Sequence, residues 1–349
     1  MEMREQLIQK FLKDNGWGDA VRDPVQADAS SRAYERLTRG HDKCVLMNAP
    51  FMPHEDPYSA AAKLAGSDPE AFICLATALT RRGFSAPHIL AADMKNGLLL
   101  LEDLGADLFA QVLARQPEKE LELYEQAISC LAAIYRSSFS DNLSARDANW
   151  HVRAYDAQAM QTEADLLIEW YIPEYADALS NDAKAEWYEI WAQLFTHLDA
   201  HAPGLALRDF HAENIFWLPK REATSKIGLI DFQDALIAHP SYDLVSLLED
   251  ARRDVDKDIV DGLISKFCTE AGIADDEKFR AAYCVIGAQR NAKILGIFVR
   301  LARRDGKLHY LDFIPRVADY FIGDISHPAL ADLQAWIARY APTLLEAGI

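Results

Sequence analysis

Short stretches of alternating apolar and polar residues fill the first hundred positions of the chain. This alternation predicts β-strands, over residues 22–28, 32–38, 43–48, 89–93 and 98–102. The last two flank Asn96 and Gly97, a pair that tolerates the positive φ angles of a hairpin turn. One helix interrupts the series: Ser67 and Glu70 form a capping box at its start, and Gly83 ends it. The amino-terminal part is therefore predicted to be a small antiparallel sheet with one helix packed against it.

Helical periodicity dominates after the short connector at 102–105. Apolar residues recur every three or four positions, and helices are expected over 121–135 and around 180–201, 257–272, 277–304 and 308–321. A sheet-rich start and a mainly helical remainder predict an α+β fold with two lobes and a cleft between them. We expect the lobes to span residues 1–103 and 104–349.

The amino-acid composition argues against two classes of binding partner. Lys and Arg total 36 while Asp and Glu total 54, for a net charge of −18. Such an acidic surface repels nucleic acid and anionic membranes, so neither is expected as a partner. The five cysteines are scattered, as is typical of a reducing compartment, and the first residues lack the continuous apolar run of a signal peptide or membrane span. We therefore expect a cytoplasmic protein.

A polar loop followed by two strand-forming runs carries the candidate chemistry. The runs, 214–218 and 227–231, are separated by a turn at 219–226 and are predicted to pair as an antiparallel hairpin. The expected register sets Leu218 opposite Ile227.

That register would place Asn214 opposite Asp231, with Asp209 one short loop away. Oxygen ligands of this kind suit Mg²⁺, which completes its shell with water and substrate phosphates. Asn214 and Asp231 are therefore the predicted metal ligands, and Asp209 is the predicted catalytic base that takes a proton from an acceptor hydroxyl. Each residue alone would more often cap a turn or end a strand. Together, within a two-lobed pattern, they favour phosphoryl transfer.

Two motifs frame these residues, Arg208–Asn214 and Ile230–Asp234. They resemble the signature of the aminoglycoside phosphotransferase/choline kinase superfamily, which has the protein-kinase-like fold. Further stretches are similar to one branch, the bacterial anomeric N-acetylmuramate/N-acetylglucosamine kinases of cell-wall recycling; these stretches are 28–34, 45–50, 99–105 and 289–296. The resemblance implies a small sheet lobe that binds nucleotide and a large helical lobe for catalysis and acceptor binding. It also implies ATP and Mg²⁺ as cofactors, and a hydroxyl of an amino sugar, the anomeric one included, as acceptor.

The residues predicted to bind the nucleotide are Ser30, Ser31, Arg32, Glu102, Asp103 and Leu104. The first three lie in a turn between strands, where small residues let backbone amides approach a phosphate and the arginine adds donors. A plain hairpin turn is the alternative there. The last three form the connector whose backbone would pair with the adenine edge, as the resemblance implies, and its acidic side chains are expected to be solvated.

The resemblance is incomplete at one position. Protein kinases carry a phosphate-binding lysine on the third strand, where this chain has Met47. Arg32 or Lys43 could supply the missing charge. The departure keeps a second hypothesis open, a nucleotide-binding pseudokinase without transfer activity.

The sequence does not decide the acceptor. An acidic protein suits choline-like or aminoglycoside cations, so phosphotransferases of those two types stay as alternatives. One face of a predicted helix is basic and could meet an anionic sugar, through Arg290, Lys293, Arg300 and Arg304. Such a stripe is more often a solvated face paired with acids, and we favour that interpretation.

Overall fold

A five-stranded antiparallel sheet forms the amino-terminal part of the chain. The computed structural model describes residues 2–25, 32–50 and 69–346. Its strands, in the spatial order β1-β2-β3-β5-β4, are β1 Val21–Val25, β2 Ala33–Arg39, β3 Asp42–Asn48, β4 Ile89–Asp93 and β5 Leu98–Glu102. The predicted strands and both hairpins are confirmed, and residues 26–28 of the first prediction lie outside the described residues.

Glycine fixes the turn that joins β4 to β5. Gly97 has a φ of +61°, and its carbonyl accepts a hydrogen bond of 2.9 Å from the amide of Ala49. A Cβ atom at Gly97 would overlap the Ala49 carbonyl, so the position excludes every side chain. One face of the sheet packs on helix α1, Glu2–Asp14, through Ile8, Phe11, Leu12, Leu37, Cys44, Leu46, Leu98 and Leu100.

The predicted helix after the first strands is present as α2, Pro69–Thr80. The chain leaves it through a turn that reaches Gly83, whose φ is +84°, so the predicted stop is confirmed. The predicted capping residue Ser67 lies outside the described residues. The helix packs against a hairpin that the sequence did not indicate, β6 Asn142–Ala145 and β7 Ala148–His151. Each of these strands has four residues, the shortest length at which alternation indicates a strand.

The hairpin of the candidate site forms, but its predicted register is wrong by one residue. Strand β9, Ile215–Trp217, pairs with β10, Ile227–Leu229, with Trp217 opposite Ile227. The Leu218 amide donates to the Lys226 carbonyl at 2.8 Å, so Lys226 belongs to the pairing and not to the loop. The turn residues are coiled into a 3-10 segment, Ala223–Lys226, which the sequence pattern did not resolve.

Helices make up most of the remainder of the chain. They are α3 Phe109–Arg115, α4 Glu120–Arg136, α5 Ala157–Leu166, α6 Ile172–Tyr175, α7 Asn181–Phe195, α8 Tyr242–Leu248, α9 Lys257–Ala271, α10 Glu277–Arg304, α11 Ile314–Ile325, α12 Ala331–Tyr340 and α13 Pro342–Glu346. The predicted helices are confirmed with two exceptions. The one expected around 180–201 ends in a 3-10 segment, Thr196–Ala200, and the one expected at 308–321 starts with a 3-10 segment, Leu308–Phe313. Two short strands, β8 Gly204–Ala206 and β11 Leu236–Ala238, also pair. No helix in the described part of the chain is long and apolar enough to cross a membrane.

The chain divides into two compact units. The first unit comprises Met1–Cys130, Ser137–Arg153 and Leu207–Leu236, and the second comprises Leu131–Arg136, Ala154–Ala206 and Ile237–Ile349. The segment with the candidate site therefore clusters with the sheet and not with the later helices. A lobe boundary between residues 103 and 104 is a different division, and it stays a prediction.

Candidate functional site

The loop that precedes β9 holds the predicted base. Arg208 has a φ of +76°, a left-handed conformation that a side chain rarely adopts, and it reverses the chain just before Asp209. The His211 amide then donates to the Asp209 carbonyl at 3.2 Å, and the Asn214 amide donates to the His211 carbonyl at 2.9 Å. Asp209 is partly exposed. The loop thus presents a carboxylate to solvent on a backbone fixed by its own hydrogen bonds.

The side chain of Asn214 is tied to the same loop. Its Nδ2 donates to the Asp209 carbonyl at 3.0 Å and lies 3.2 Å from Nε2 of His211. Because the amide nitrogen is used inside the loop, Oδ1 is the atom of Asn214 that is left for a ligand. An amide oxygen held in this way suits a cation.

Asp231 follows β10 and turns the chain with a φ of +58°. Its Oδ1 accepts a hydrogen bond of 2.8 Å from Nε2 of Gln233 and lies 3.6 Å from Nη1 of Arg32. Burial raises the pKa of the Asp231 carboxyl, and the nearby negative charge of Asp209 raises this pKa further. A cation bound beside Asp231 would oppose both effects.

The three predicted residues lie together in the first unit, although the register differs. The Ile230 amide donates to the Asn214 carbonyl at 3.2 Å, so Asn214 faces Ile230 and not Asp231. The left-handed turn at Asp231 then returns its carboxyl to the neighbourhood of Asp209.

The donor set fits Mg²⁺. It offers one amide oxygen and one carboxylate, which leaves the other positions to water and phosphate. Within residues 2–25, 32–50 and 69–346, no group of three or more His, Cys, Asp or Glu side chains could hold a metal ion.

The connector after β5 differs from its prediction. The side chain of Asp103 is 7% exposed, accepts hydrogen bonds from Arg36 at 3.1 Å and from the Gly105 amide at 2.9 Å, and so braces the turn. Glu102 pairs with Arg221 at 2.5 Å. The expectation of solvated acids is therefore wrong for both residues, because arginines from other elements reach them. The Glu102 amide donates to the His88 carbonyl at 2.8 Å, so this amide is already hydrogen-bonded within the first unit.

The predicted phosphate loop is described only at its end. Ser30 and Ser31 lie outside the described residues. Arg32 directly precedes β2, and its side chain, 12% exposed, reaches Asp231. Met47 lies on β3 and is buried, whereas Lys43 is exposed.

Helix α10 contains further candidate functional residues. They lie in the stretch 289–296, which the sequence singled out only by its similarity to the sugar kinase branch. Gln289 donates to the Met160 carbonyl and accepts from the Tyr155 hydroxyl, both at 3.0 Å, and Tyr155 also bonds Glu163. Lys293 lies 3.0 Å from the Glu163 carboxylate. Every residue from 285 to 292 is buried, and polar residues in such a run require hydrogen-bond partners, which these contacts provide.

The basic stripe of that helix is not a solvated face along its whole length. Arg290 is buried and donates to the Ser246 hydroxyl at 2.8 Å, and Lys293 is largely buried in its ion pair. Burial lowers the pKa of the half-buried Arg300. Only the last member, Arg304, forms the exposed ion pair that was expected, with Asp305 at 2.7 Å.

Two buried carboxyls face each other beside α10. Asn291 donates through Nδ2 to Glu249 at 2.7 Å and to Asp324 at 3.0 Å. Gly287 makes room for this pair, since a Cβ atom there would lie 2.6 Å from Cγ of Asp324. Burial raises the pKa of Glu249 to about 7, and it raises the pKa of Asp324 in the same direction. A hydrogen bond between the two carboxyls lets them share a proton.

Comparison with known proteins gives the family. The sequence profile of the phosphotransferase enzyme family matches residues 22–287. The chain is 41% identical to the N-acetylmuramate/N-acetylglucosamine kinase of Caulobacter vibrioides, over 97% of each chain. The chain belongs to the phosphotransferase enzyme family. It is an enzyme of the phosphotransferase class, as the motifs around Asp209 and Asp231 predicted.

Solved structures show the same fold at low sequence identity. Choline kinase LicA from Streptococcus pneumoniae superposes with a TM-score of 0.60 at 13% identity, covering 92% of this chain and 100% of that one. The aminoglycoside phosphotransferase APH(2'')-Ib, solved with ADP bound, gives a TM-score of 0.57 at 12% identity, covering 90% and 96%. The predicted two-lobed, protein-kinase-like α+β fold is confirmed.

Proposed function

We propose that this chain transfers the γ-phosphoryl group of ATP to a hydroxyl of an amino sugar, N-acetylmuramate or N-acetylglucosamine, and that the anomeric hydroxyl is the acceptor. The observation that carries the proposal is the convergence of Asp209, Asn214 and Asp231 in one unit, with partly exposed side chains. The choice of acceptor rests on the similarity to the Caulobacter kinase, which spans nearly the whole of both chains. ATP is most available in the cytoplasm, where we expect the enzyme to act.

Asp209 is the proposed general base. It orients the acceptor hydroxyl and takes its proton as the new P–O bond forms, while ADP leaves with the electron pair of the broken bond. A positioned base of this kind contributes about 10²–10⁴-fold to the rate. The hydrogen bonds from His211 and Asn214 to the Asp209 carbonyl hold the loop in place during this step.

Asn214 and Asp231 are the proposed ligands of Mg²⁺, which when bound supplies positive charge to the phosphates of ATP. The Asn214 amide is oriented by the loop, and the Asp231 carboxyl is oriented by Gln233. Both residues therefore present oxygen atoms whose direction is set before the nucleotide arrives. Ser30, Ser31 and Arg32 are the residues proposed to contact the phosphates, and the connector residues Glu102, Asp103 and Leu104 are proposed to contact the base.

A pseudokinase is the rival function that one observation favours. Met47 is 1% exposed on β3, so an apolar side chain fills the position where protein kinases have their lysine. A pseudokinase would bind nucleotide and be stabilised by it without releasing ADP to any acceptor.

A coupled ADP-release assay tests the proposal. The acceptors are N-acetylglucosamine, N-acetylmuramate, choline and kanamycin, each offered with ATP and Mg²⁺. We expect turnover with the amino sugars and a loss of about 10²–10⁴-fold in kcat for Asp209→Asn, with an unchanged melting temperature. Glu222→Gln, an exposed substitution in the β9–β10 turn, is the control and should keep wild-type turnover.

Each of the other possible results would change the functional assignment in a different way. Turnover only with choline or kanamycin would replace the acceptor and keep the mechanism. Thermal stabilisation by Mg·ATP without ADP release from any acceptor would support the pseudokinase. Full activity in Asp209→Asn would remove the assignment of the base.

A further inference from the structure

Met47 occupies the position of the protein-kinase lysine, and it lies opposite an aromatic residue of the neighbouring strand. In the β2–β3 ladder, Tyr34 is paired directly with Met47. Side chains of directly opposed residues share one face of the sheet, so Tyr34 lies beside the place where a kinase lysine would start. Tyr34 is therefore the nearest polar side chain of β2 to that place.

Arg32 directly precedes β2 and is two residues before Tyr34. The Arg32 guanidinium hydrogen-bonds the Tyr34 hydroxyl. It also lies 3.6 Å from Oδ1 of Asp231, with only 12% of its side chain exposed. Arg32 thus connects the face that carries Met47 to the proposed metal ligand.

The other cation considered for this role is placed differently. Lys43 is on β3 four residues before Met47, opposite Thr38, and it is exposed. Four residues along a strand correspond to about 13 Å, which is far for a side chain to bridge. Arg36, the next arginine of β2, is bound to Asp103 and to the Gly105 carbonyl.

We infer that Arg32, positioned by the Tyr34 hydroxyl, supplies the phosphate-binding positive charge that a lysine of the third strand supplies in protein kinases. An arginine fork donates to two oxygens at once, so it can bind Asp231 and a phosphate oxygen together. Tyr34 is a positioning residue, because it acts through Arg32. The inference rests on the proposed function in that it needs a nucleotide site, but it needs no acceptor.

Calorimetric titration with ADP in the presence of EDTA tests the phosphate-binding role of Arg32. EDTA removes metal ions, and ADP allows no turnover. Loss of one charged hydrogen-bonding group predicts that Arg32→Gln binds ADP about ten- to a hundredfold more weakly than the wild type. Lys43→Gln, which removes an exposed charge from the same sheet, should bind ADP as the wild type does. Arg32→Lys keeps the charge and should weaken binding less than Arg32→Gln, which protects the test if the glutamine variant folds poorly.

A double-mutant cycle tests the part played by Tyr34. Tyr34→Phe should weaken ADP binding in the wild-type background and have almost no further effect in Arg32→Gln, because the hydroxyl acts only through the guanidinium. Equal ADP affinities of Arg32→Gln and Lys43→Gln would overturn the role of Arg32. An additive effect of Tyr34→Phe would overturn its positioning role.

The outcomes separate this inference from the proposed function. ADP binding that depends on Arg32, in a protein that phosphorylates no sugar, would support the inference and refute the sugar kinase. A wild-type protein that binds ADP neither in EDTA nor with Mg²⁺ would refute both.

Discussion

Arg208 and Asp231 share a backbone conformation that is uncommon for their residue types. In the described ranges, the residues other than glycine with positive φ are Arg146, Arg208, Ala223 and Asp231. Two of these four flank the candidate site, one just before the proposed base and one at the proposed metal ligand. Strained backbone of this kind costs about 1–3 kcal/mol per residue and persists where the surrounding structure imposes it. The backbone thus marks the same site as the side chains.

Local motifs predicted the side chains of the site but not their partners. Asp209, Asn214 and Asp231 were identified because their spacing is visible along the chain. The contact of Arg32 with Asp231 joins residues that are far apart in sequence, and no pattern predicts such a pair. The buried pair Glu249 and Asp324 was missed for the same reason.

The pair of buried carboxyls predicts a pH-dependent stability. The folded-state pKa of Glu249, about 7, lies above its ordinary value of 4.5, so the folded protein binds the proton more tightly than the unfolded chain does. The associated stability is fully present below the ordinary value and is lost as the pH rises through the folded value. Glu249→Gln removes the Glu249 carboxyl and leaves only Asp324 to titrate at this site, so the melting temperature of the wild type should fall relative to this variant, by several degrees, between about pH 4.5 and about pH 7.

Differential scanning calorimetry across that range measures the difference. Glu189→Gln, an exposed substitution on α7, is the matched control and should follow the wild type at every pH. A constant offset between wild type and Glu249→Gln would show that the carboxyl does not titrate in the folded protein.

Strands and helices were predicted well wherever a local signal sets them. The β4–β5 hairpin has its Asn-Gly turn, and α10 ends at the predicted residue after a long amphipathic run. The β9–β10 register failed because a 3-10 segment in the loop decides which residues pair. Side-chain periodicity alone does not distinguish two registers that differ by one residue when both strands are apolar.

Close packing of α10 against α5 predicts a large difference between two glycine substitutions. A Cβ atom at Gly296 would lie 2.7 Å from Cβ of Leu166 and still closer to the Leu166 carbonyl. Gly296→Ala should therefore destabilise the protein by about 1–3 kcal/mol, because the strain exceeds the gain in helix propensity of roughly 1 kcal/mol. Gly262 on α9 faces open space, so Gly262→Ala should stabilise by about 0.5–1 kcal/mol.

Urea unfolding followed by circular dichroism measures the change in unfolding free energy of both variants under the same conditions. The two substitutions are chemically identical and both lie within helices of the second unit, so their difference isolates the packing contribution. If Gly296→Ala were as stable as Gly262→Ala, the helices would not approach as closely as described.

The excess of acidic residues acts on the molecule as a whole. With 54 acidic and 36 basic side chains, the chain keeps a net charge of −18 even if every basic side chain pairs with an acidic one. Exposed ion pairs such as Lys10 with Asp14 contribute little, whereas the summed repulsion is long-ranged and opposes the compact state. Salt screens this repulsion over about 10 Å at 0.1 M ionic strength.

We therefore expect the melting temperature at neutral pH to rise by a few degrees when NaCl is increased from about 10 to about 300 mM, since screening relieves repulsion more than it weakens the exposed pairs. The same salt step near the pI of about 4.9 should have little effect, because the net charge is then close to zero. Thermal unfolding at both pH values provides the comparison. The two salt concentrations are compared at the same pH, so the protonation of Glu249 does not contribute to the difference in melting temperature. A melting temperature that falls with salt at neutral pH would show instead that exposed ion pairs outweigh the net charge in stabilising this fold.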